Sequence, residues 1–384
     1  MCKILHKCLC CDGDNLYKYF DLDFQPLANN LKDSVGQNGF FPLAINVCKD
    51  CFHSQLTVSV DKELLFKNYL YVSGTSESLR NYFKKLAKKI IKTTGFKKGT
   101  KILDIACNDG TFLEFFDKWD RWGIDPAENL RKIAIKKGNK VITDFFPCNF
   151  NHKFRVITGL NVLAHTDKPY EFLVGCKNIL KTDGYIFIQT SQKDMVVNGE
   201  FDTIYHEHQS FFTIKSMLKL VERAGLVLTN VETMDVHGKS YLFTIRKSGK
   251  HFNKLEKDSR YSIKTYNNFF KKSEFIKTGI LKLLKSLRLP IIGYGAAAKG
   301  VVLLNYLELP VEYVIDDNPL KQGKFIGGVD VPIYPIDKLK EDKRALAIVV
   351  FPWNMYSDII KNIKKVRNNP NDKFIKPFPN VEVV

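Results

Sequence analysis

What this 384-residue chain lacks narrows the reading first. No apolar stretch approaches the ~20 residues of a transmembrane helix, so no membrane span is expected. The opening residues, MCKILHKCLCCDGDNLYKYF, contain no apolar run of the secretory kind, and a soluble, cytoplasmic protein is expected. There is no short-period repeat and no low-complexity tract, which speaks against repeat arrays and a mainly disordered chain. The nine cysteines are odd in number and clustered near the start, unlike a secreted disulfide framework. Acidic residues are the minority, 41 against 59 Lys and Arg, for a net charge of +18. Yet no long basic tail appears, and aromatics do not alternate with arginine as on an RNA platform. The lysines are spread along the chain, and Lys84, Lys85, Lys88 and Lys89 fall at the spacing of a solvated helix face. No nucleic-acid partner is expected; an anionic small substrate such as a nucleotide would be drawn to a basic cleft.

What is present suits packed cores: 45% hydrophobic and 12% aromatic residues, in a chain long enough for two or three domains. Residues 1–62 are short-patterned and turn-rich. Residues 63–95 read as helical, with Leu79, Phe83, Leu86 and Ile90 at three- and four-residue spacing. From Lys101 strands and helices alternate: KILDI, then TFLEFFDKW as a helix, RWGIDP, RVITGL, EFLVGCKNILKTDG as a helix closed by its glycine, and YIFIQT. Such βαβ alternation implies a parallel sheet, which LVLTNVETM and SYLFTIR would close as an antiparallel pair. Polar residues 247–258 make the best linker. A helix over about 261–288 leads into a second nucleotide-type unit, LPIIGYGAAAKG, continued by VEYVIDDN and LAIVVF. The expected domains are 1–62, 63–250 and 251–384, in an α/β protein whose last two units are Rossmann-like.

Cys8/Cys11 and Cys48/Cys51 form two C-x2-C knuckles, each presenting two thiolates from one turn. Facing each other they give closed tetrahedral coordination of a structural zinc, which also replaces the core that so short a segment lacks. Cys2 or Cys10 could substitute for a member of the first pair. Cys107, Cys148 and Cys176 sit in apolar contexts and read as core.

Asp104-Ile-Ala-Cys-Asn108-Asp109-Gly110 is a buried strand running into a tight turn, where Gly110 lets the backbone approach a ligand. Asp125 ends the next strand, where an acid can accept hydrogen bonds from ribose hydroxyls. Without a G-x-G-x-x-G set there is no pyrophosphate cradle, so a nucleoside without phosphates fits better than NAD. S-adenosylmethionine meets that description, with Asp104, Asn108 and Asp109 available for its ammonium and carboxylate ends. The segment Phe201-Asp-Thr-Ile-Tyr205-His206-Glu207-His208 comes after a strand end and gathers acid–base groups. His165, at another strand end, could converge on it. In the glycine loop Gly293–Gly300, the opening helix N-terminus can hold a pyrophosphate and Lys299 adds charge. Its third glycine position is an alanine, against NAD.

Together these motifs resemble the sugar-nucleotide C-methyltransferases of deoxysugar biosynthesis, along nearly the whole chain. FQPLANNL looks like that family's zinc-domain signature. DIACNDGTFLEFF, GIDPAENL, NVLAHTDK, EFDTIYHEHQSFF, VHGKSYLF and GYGAAAKGVVLLNYL come next, in the family's order. The resemblance implies a zinc domain, a central methyltransferase domain and a C-terminal Rossmann-like domain. It implies a nucleotide-linked keto sugar as substrate, methylated on a ring carbon beside the ketone. His208 would be the base, with Tyr205, Glu207, His165 and Tyr71 at the reacting centre. Pro126 and Asn161 join the cofactor set; Gly293, Tyr294, Gly295, Lys299 and His237 fall on the substrate side. A monomer is expected. Lys239 and Gly327 depart from the family pattern and bear on sugar identity. A C–H beside a ketone is acidic enough for a base to remove if the enolate oxygen is stabilised, and the enolate carbon then takes the sulfonium methyl. Two alternatives share the scaffold: a sugar O-methyltransferase and an RNA-binding methyltransferase.

Overall fold

The computed structural model describes residues 2–36, 39–66, 72–75, 77–252 and 261–383. The first segment is richer in strands than its turn-like sequence suggests: β1 (Cys2–Ile4), β2 (Leu16–Pro26), β3 (Phe40–Cys48), β4 (Ser54–Leu56) and β5 (Val58–Val60). β2, β3 and β4 pair antiparallel, and β1 pairs with β5. Two register shifts break the alternation along β2, which is why its period-two signal is weak. Its buried side chains, among them Phe20 and Leu22, share one apolar core with Tyr266 and Phe269 far along the chain.

The central region begins with α1 (Lys62–Phe66) and α2 (Glu77–Thr94), the latter burying Leu79, Phe83, Leu86 and Ile90 as its spacing predicts. Then come β6 (Lys101–Ile105), β7 (Asp120–Ile124), α3 (Glu128–Lys136), β8 (Lys140–Ile142), β9 (Phe154–Leu160), α4 (Pro169–Ile179), β10 (Leu180–Thr190) and α5 (Met195–Asn198). After β11 (Ser210–Phe211) come α6 (Ile214–Arg223), β12 (Val227–Met234) and β13 (Ser240–Arg246). The sheet order is β12-β13-β10-β9-β6-β7-β8. β6 to β10 pair in parallel and β13 runs antiparallel between β10 and β12. The strand order reverses between β6 and β9, the place where open α/β sheets bind ligands beyond their strand ends. Two local expectations fail. TFLEFFDKW forms only a 3-10 turn at Leu113–Phe115, because Phe112, Phe116 and Trp119 are drawn together into one aromatic cluster. The helix of EFLVGCKNILKTDG stops at Ile179, where Leu180 turns extended and pairs with Phe154, so Gly184 is no cap.

The last region holds α7 (Ile263–Leu287), β14 (Ile291–Tyr294), α8 (Ala298–Leu307), β15 (Val314–Ile315), β16 (Phe325–Ile326) and β17 (Val331–Tyr334). It ends with α9 (Lys338–Glu341), β18 (Ala347–Val350), α10 (Tyr356–Val366), β19 (Lys373–Lys376) and β20 (Glu382–Val383). Its sheet, β16-β17-β15-β14-β18-β19-β20, is parallel at the centre and reverses beside β14. The regions interlock: β11, two residues after His208, is the outer strand of the N-terminal sheet, antiparallel to β4. No helix among the described residues is long and apolar enough to cross a membrane.

Candidate active site and metal centre

The sulfurs of Cys8 and Cys51 approach to 3.6 Å, as do those of Cys11 and Cys48, and all four lie within 4.8 Å of one another. Four thiolates about 2.3 Å from a tetrahedral zinc stand roughly 3.8 Å apart, so donor type and spacing both fit. Each knuckle is shaped by its backbone: Cys8 N–H donates to Gly13 O (2.7 Å) and Cys48 N–H to His53 O (2.8 Å). Cys10 is buried outside the cluster and Cys2 is exposed, so neither replaces a ligand. With four sulfurs the set is closed, as in structural sites. Cys107 and Cys176 are buried; Cys148 is half-buried.

A cavity of about 2030 Å³ is walled by residues from all three regions. Single-ligand pockets run to about 1,000 Å³, so there is room for two ligands. Its central wall is formed where β6, β7, β9 and β10 end. Four residues just past β6, β9 and β10 have left-handed backbones, Ala106 (φ 58°), Asn108 (53°), Asn161 (58°) and Gln192 (60°), and His237 (50°) joins them. Asn enters this region with little penalty and His more readily than most, whereas Ala and Gln do so rarely, and such backbone strain gathers at ligand sites.

Asn108, Asp125, Pro126 and Asn161 line this wall. Asp125 accepts from the N–H groups of Asn108 (2.8 Å) and Ala127 (2.9 Å), yet burial still pushes its carboxyl up. Gln189 donates to Asn161 Oδ1 (3.2 Å) and is itself held by Tyr82. Apolar Ile105, Ile124 and Leu160 complete a slot suited to a nucleoside. Asp104, Asp109 and Gly110 lie behind the wall. Thr158 donates to Asp104 (2.6 Å), whose carboxyl burial and the nearby Asp125 push up to about 7. Asp109 is engaged by Lys137 (2.8 Å) and Thr111, and Gly110 (φ 73°) packs where a Cβ would crowd Ala134.

The 201–208 segment is a turn, with His208 N–H donating to Tyr205 O (2.8 Å), and not an extended strand. His206 and His208 therefore do not share a face, contrary to a period-two reading. His206 leans toward Pro42 O (3.3 Å) in the N-terminal region, while His208 faces the cavity. His208 Nδ1 lies 2.8 Å from Thr203 O; a carbonyl only accepts, so Nδ1 carries the proton. Its Nε2 lone pair then receives the Tyr205 hydroxyl at 2.7 Å. Burial foremost, with His165 at a ring separation of 5.2 Å, pushes His208 well below the ordinary histidine value. His165 and His237, also on the wall, are pushed down to about 4 by burial. Glu207 does not contact His208: it accepts from Asn29 Nδ2 (2.8 Å). Tyr71 lies outside the described residues.

In the C-terminal region Tyr294, Gly295 and Lys299 reach the cavity, whereas Gly293 does not. A Cβ on Gly293 or Gly300 would strike the Phe351 ring, so those glycines serve close packing. Ala297 caps α8 without a side-chain hydrogen bond, which leaves the first-turn N–H groups for a ligand. Lys299 sits 4.1 Å above the Trp353 ring, and Trp353 Nε1 donates to the buried Asp202 (2.7 Å), tying this loop to the 201–208 turn. Asp202 is pushed up to about 7 by burial. Tyr294 donates to both oxygens of Asp317 (2.8 and 2.9 Å). Lys361, Lys364 and Lys365 of α10 border this end, while Asp61, Asp144, Asp167 and Glu171 come from the other regions. The +18 charge is thus not gathered in the cavity. Lys239 is exposed and pairs with Asp235, away from the wall. Gly327 O accepts from Asn305 (3.0 Å).

Sequence reasoning missed Asn29, Gln192, Asp202, Trp353 and Asp316. Asp316 carried a signal, since VIDD repeats the strand-end acid of GIDP, and Asn29 and Asp202 fall within FQPLANNL and the Phe201–His208 segment without being singled out there.

Residues 8–66 match a domain family described as zinc-binding, 78–231 a methyltransferase domain, and 244–379 a C-methyltransferase C-terminal domain. The C-methyltransferase NovU of Streptomyces niveus is 28% identical over 409 residues, covering 99% of this chain and 97% of that protein. A ubiquinone biosynthesis O-methyltransferase of Glaesserella parasuis serovar 5 (strain SH0165) is 32% identical over 114 residues, 26% of this chain and 48% of that protein. Among solved structures, a S-adenosylmethionine-dependent methyltransferase from Clostridium acetobutylicum ATCC 824 covers 44% of this chain and 92% of its own, at 14% identity and a TM-score of 0.37.

Proposed function

We propose, from the premise that this chain belongs to the S-adenosylmethionine-dependent C-methyltransferases with a zinc-binding N-terminal domain, that it methylates a nucleotide-linked keto sugar on the ring carbon beside the ketone, in the cytoplasm. The observation that carries this reading is the Thr203–His208–Tyr205 arrangement: a neutral imidazole of set tautomer, its lone pair held by a phenol, inside a two-ligand cavity. Bound S-adenosylmethionine supplies an electrophilic methyl group on its sulfonium. Asn108, Asp125, Pro126 and Asn161 would hold it, Asp125 at the ribose. The zinc would be structural.

His208 takes the proton from the carbon beside the ketone onto Nε2, directly or through Tyr205, and the C–H electron pair passes into the enolate. Thr203 O keeps the other ring proton and fixes the ring's direction. An isolated imidazolium here is costly, because burial disfavours it. Proton transfer, however, creates imidazolium and enolate side by side, and their attraction offsets much of that cost. Tyr205 and His165, which line the same cavity, would face the developing oxyanion. Asp104 and Asp109 shape the cofactor turn from behind. The helix α8 N-terminus, Tyr294, Gly295 and Lys299 would receive the nucleotide part, and His237 the sugar side.

The test is to incubate the protein with labelled S-adenosylmethionine and a panel of nucleotide-linked 4-keto sugars, and to locate the methyl by NMR. A methyl on the carbon beside the ketone is expected. A methyl on oxygen, or salt-sensitive methylation of RNA, would replace this reading. Metal analysis should return one equivalent of zinc per chain.

A further inference from the structure

We propose that Asn29, carried by the zinc-binding domain, is a specificity-determining residue. It presents its side-chain carbonyl oxygen to a hydroxyl of the sugar, and Glu207 is the positioning residue that holds it there. The inference rests on the keto-sugar reading and extends it to a region not assigned any part in recognition.

Asn29 lies in the turn after β2, closed by Asn30 N–H donating to Leu27 O (3.1 Å). It is half-buried and shares the cavity wall with Tyr205, His208 and Gln209. Its Nδ2 donates to Glu207 Oε1 at 2.8 Å. Glu207 is 1% exposed and off the wall, and its Oε2 makes no hydrogen bond. A buried acid is costly unless it is paired. Asn29 is the pairing here, because both nitrogens of His208 are already engaged by Thr203 and Tyr205.

Burial pushes the Glu207 carboxyl up, and its Oε1 accepts from the Asn29 amide, which aims its NH₂ at the acid. Its Oδ1 then points the other way. Among the described residues no donor engages Oδ1, although Asn29 lies on the cavity wall. An acceptor in that place, close to the base, suits an O–H donor, and the ring of a keto sugar carries such groups. The placement is enforced by strand pairing: β11 continues the His208 turn into the sheet that carries Asn29, with Ser210 opposite Gln55 and Leu56 N–H donating to Gln209 O (3.1 Å).

The test compares full-length wild type, Asn29→Ala and Glu207→Gln on a keto sugar nucleotide and on analogues lacking each ring hydroxyl in turn. Zinc content and S-adenosylmethionine affinity serve as fold controls. Asn29→Ala should lower kcat/KM chiefly by raising the sugar KM, roughly three- to tenfold, the worth of one neutral hydrogen bond. Its preference for the full substrate over one particular deoxy analogue should vanish. Glu207→Gln keeps an acceptor of the same shape and should retain most of that preference. Wild-type KM and wild-type discrimination in Asn29→Ala overturn the inference and leave the proposed function standing. Absence of turnover by the wild type on every keto sugar overturns both. If Asn29→Ala loses zinc or cofactor binding, Glu207→Gln decides: a kcat loss of a hundredfold or more with discrimination intact means that the acid serves the base and not Asn29.

Discussion

The protein contains the same backbone device twice, and the two copies diverge in the element that each loop leads into. At the end of β7, Asp125 accepts from the N–H of Asn108 in the preceding turn and from Ala127 two residues on. At the end of β15, Asp316 accepts from the N–H of Ala296 (2.7 Å) and from Asn318 two residues on (2.8 Å). In both, a strand-end carboxylate pins the loop of the strand beside it. The first loop runs into a 3-10 turn over Leu113–Phe115; the second opens the full helix α8, with its N-terminal donors. Lys321 stands 3.6 Å from Asp316, and Lys299 lies in the first turn of the helix. Asp104 lies four residues before Asn108; the corresponding place before Ala296 holds the buried Ile292. The strand-end acid thus sets the loop's shape in both copies, while the element that follows differs: a short 3-10 turn after the first, a full helix after the second.

The largest effect should come from neither loop. His208→Asn should lower turnover by about 10²–10⁴-fold, with calorimetric affinities for S-adenosylmethionine and a nucleoside diphosphate unchanged. His206→Asn, turned toward Pro42, should be much milder. The acid limb of the wild-type pH–rate profile should fall below the usual histidine value, because burial keeps His208 neutral. Equal losses in both histidine variants would show that the turn, and not its base, matters.

The two acids should separate the two ligands. Asp125→Ala should weaken S-adenosylmethionine binding by roughly 1.5–3 kcal/mol and spare the nucleoside diphosphate. Asp316→Ala should do the reverse. If either variant weakens both ligands equally, the loops are not independent sites.

The buried acid without a counterpart should show in stability. Asp104 is pushed up to about 7 in the folded chain, while the unfolded chain ionises near the ordinary carboxyl value of about 4. Between those values the unfolded state loses its proton first, so this group's contribution falls as pH rises and stays low above about 7. Asp104→Asn should flatten that slope by an amount of order 1–3 kcal/mol, read as a smaller drop in Tm between pH 5 and 8. An unchanged slope would mean that Asp104 is ionised in the folded protein.

The smallest effect belongs to the second loop's cation. Lys299→Glu should weaken nucleoside diphosphate binding by about 1 kcal/mol, as expected for a charge beside a helix N-terminus. Tight NAD binding by the wild type would break the distinction between the loops.

Elements whose signal is local could be read from the order of residues alone. Thiolate pairs three positions apart can close on one metal wherever the chain takes them, so Cys8, Cys11, Cys48 and Cys51 were legible. Buried runs such as KILDI and YIFIQT declare parallel strands because both faces are covered. The strand-end acid and the Tyr205–His208 segment were visible as chemistry. How these pieces are used was settled only by packing. The turn at 205–208 separates two histidines that periodicity cannot distinguish. Asn29 and Glu207 meet across 178 positions, and Asp202 and Trp353 across 151. Asp104 and Asp109, which read as cofactor ligands, instead face Thr158 and Lys137 behind the wall. The reason is physical: spacing along the chain specifies which side chains share a face of one element. Which faces meet is decided by the joint burial of all the apolar surfaces, and the same packing sets the tautomer, amide direction and proton affinity of every polar group enclosed with them.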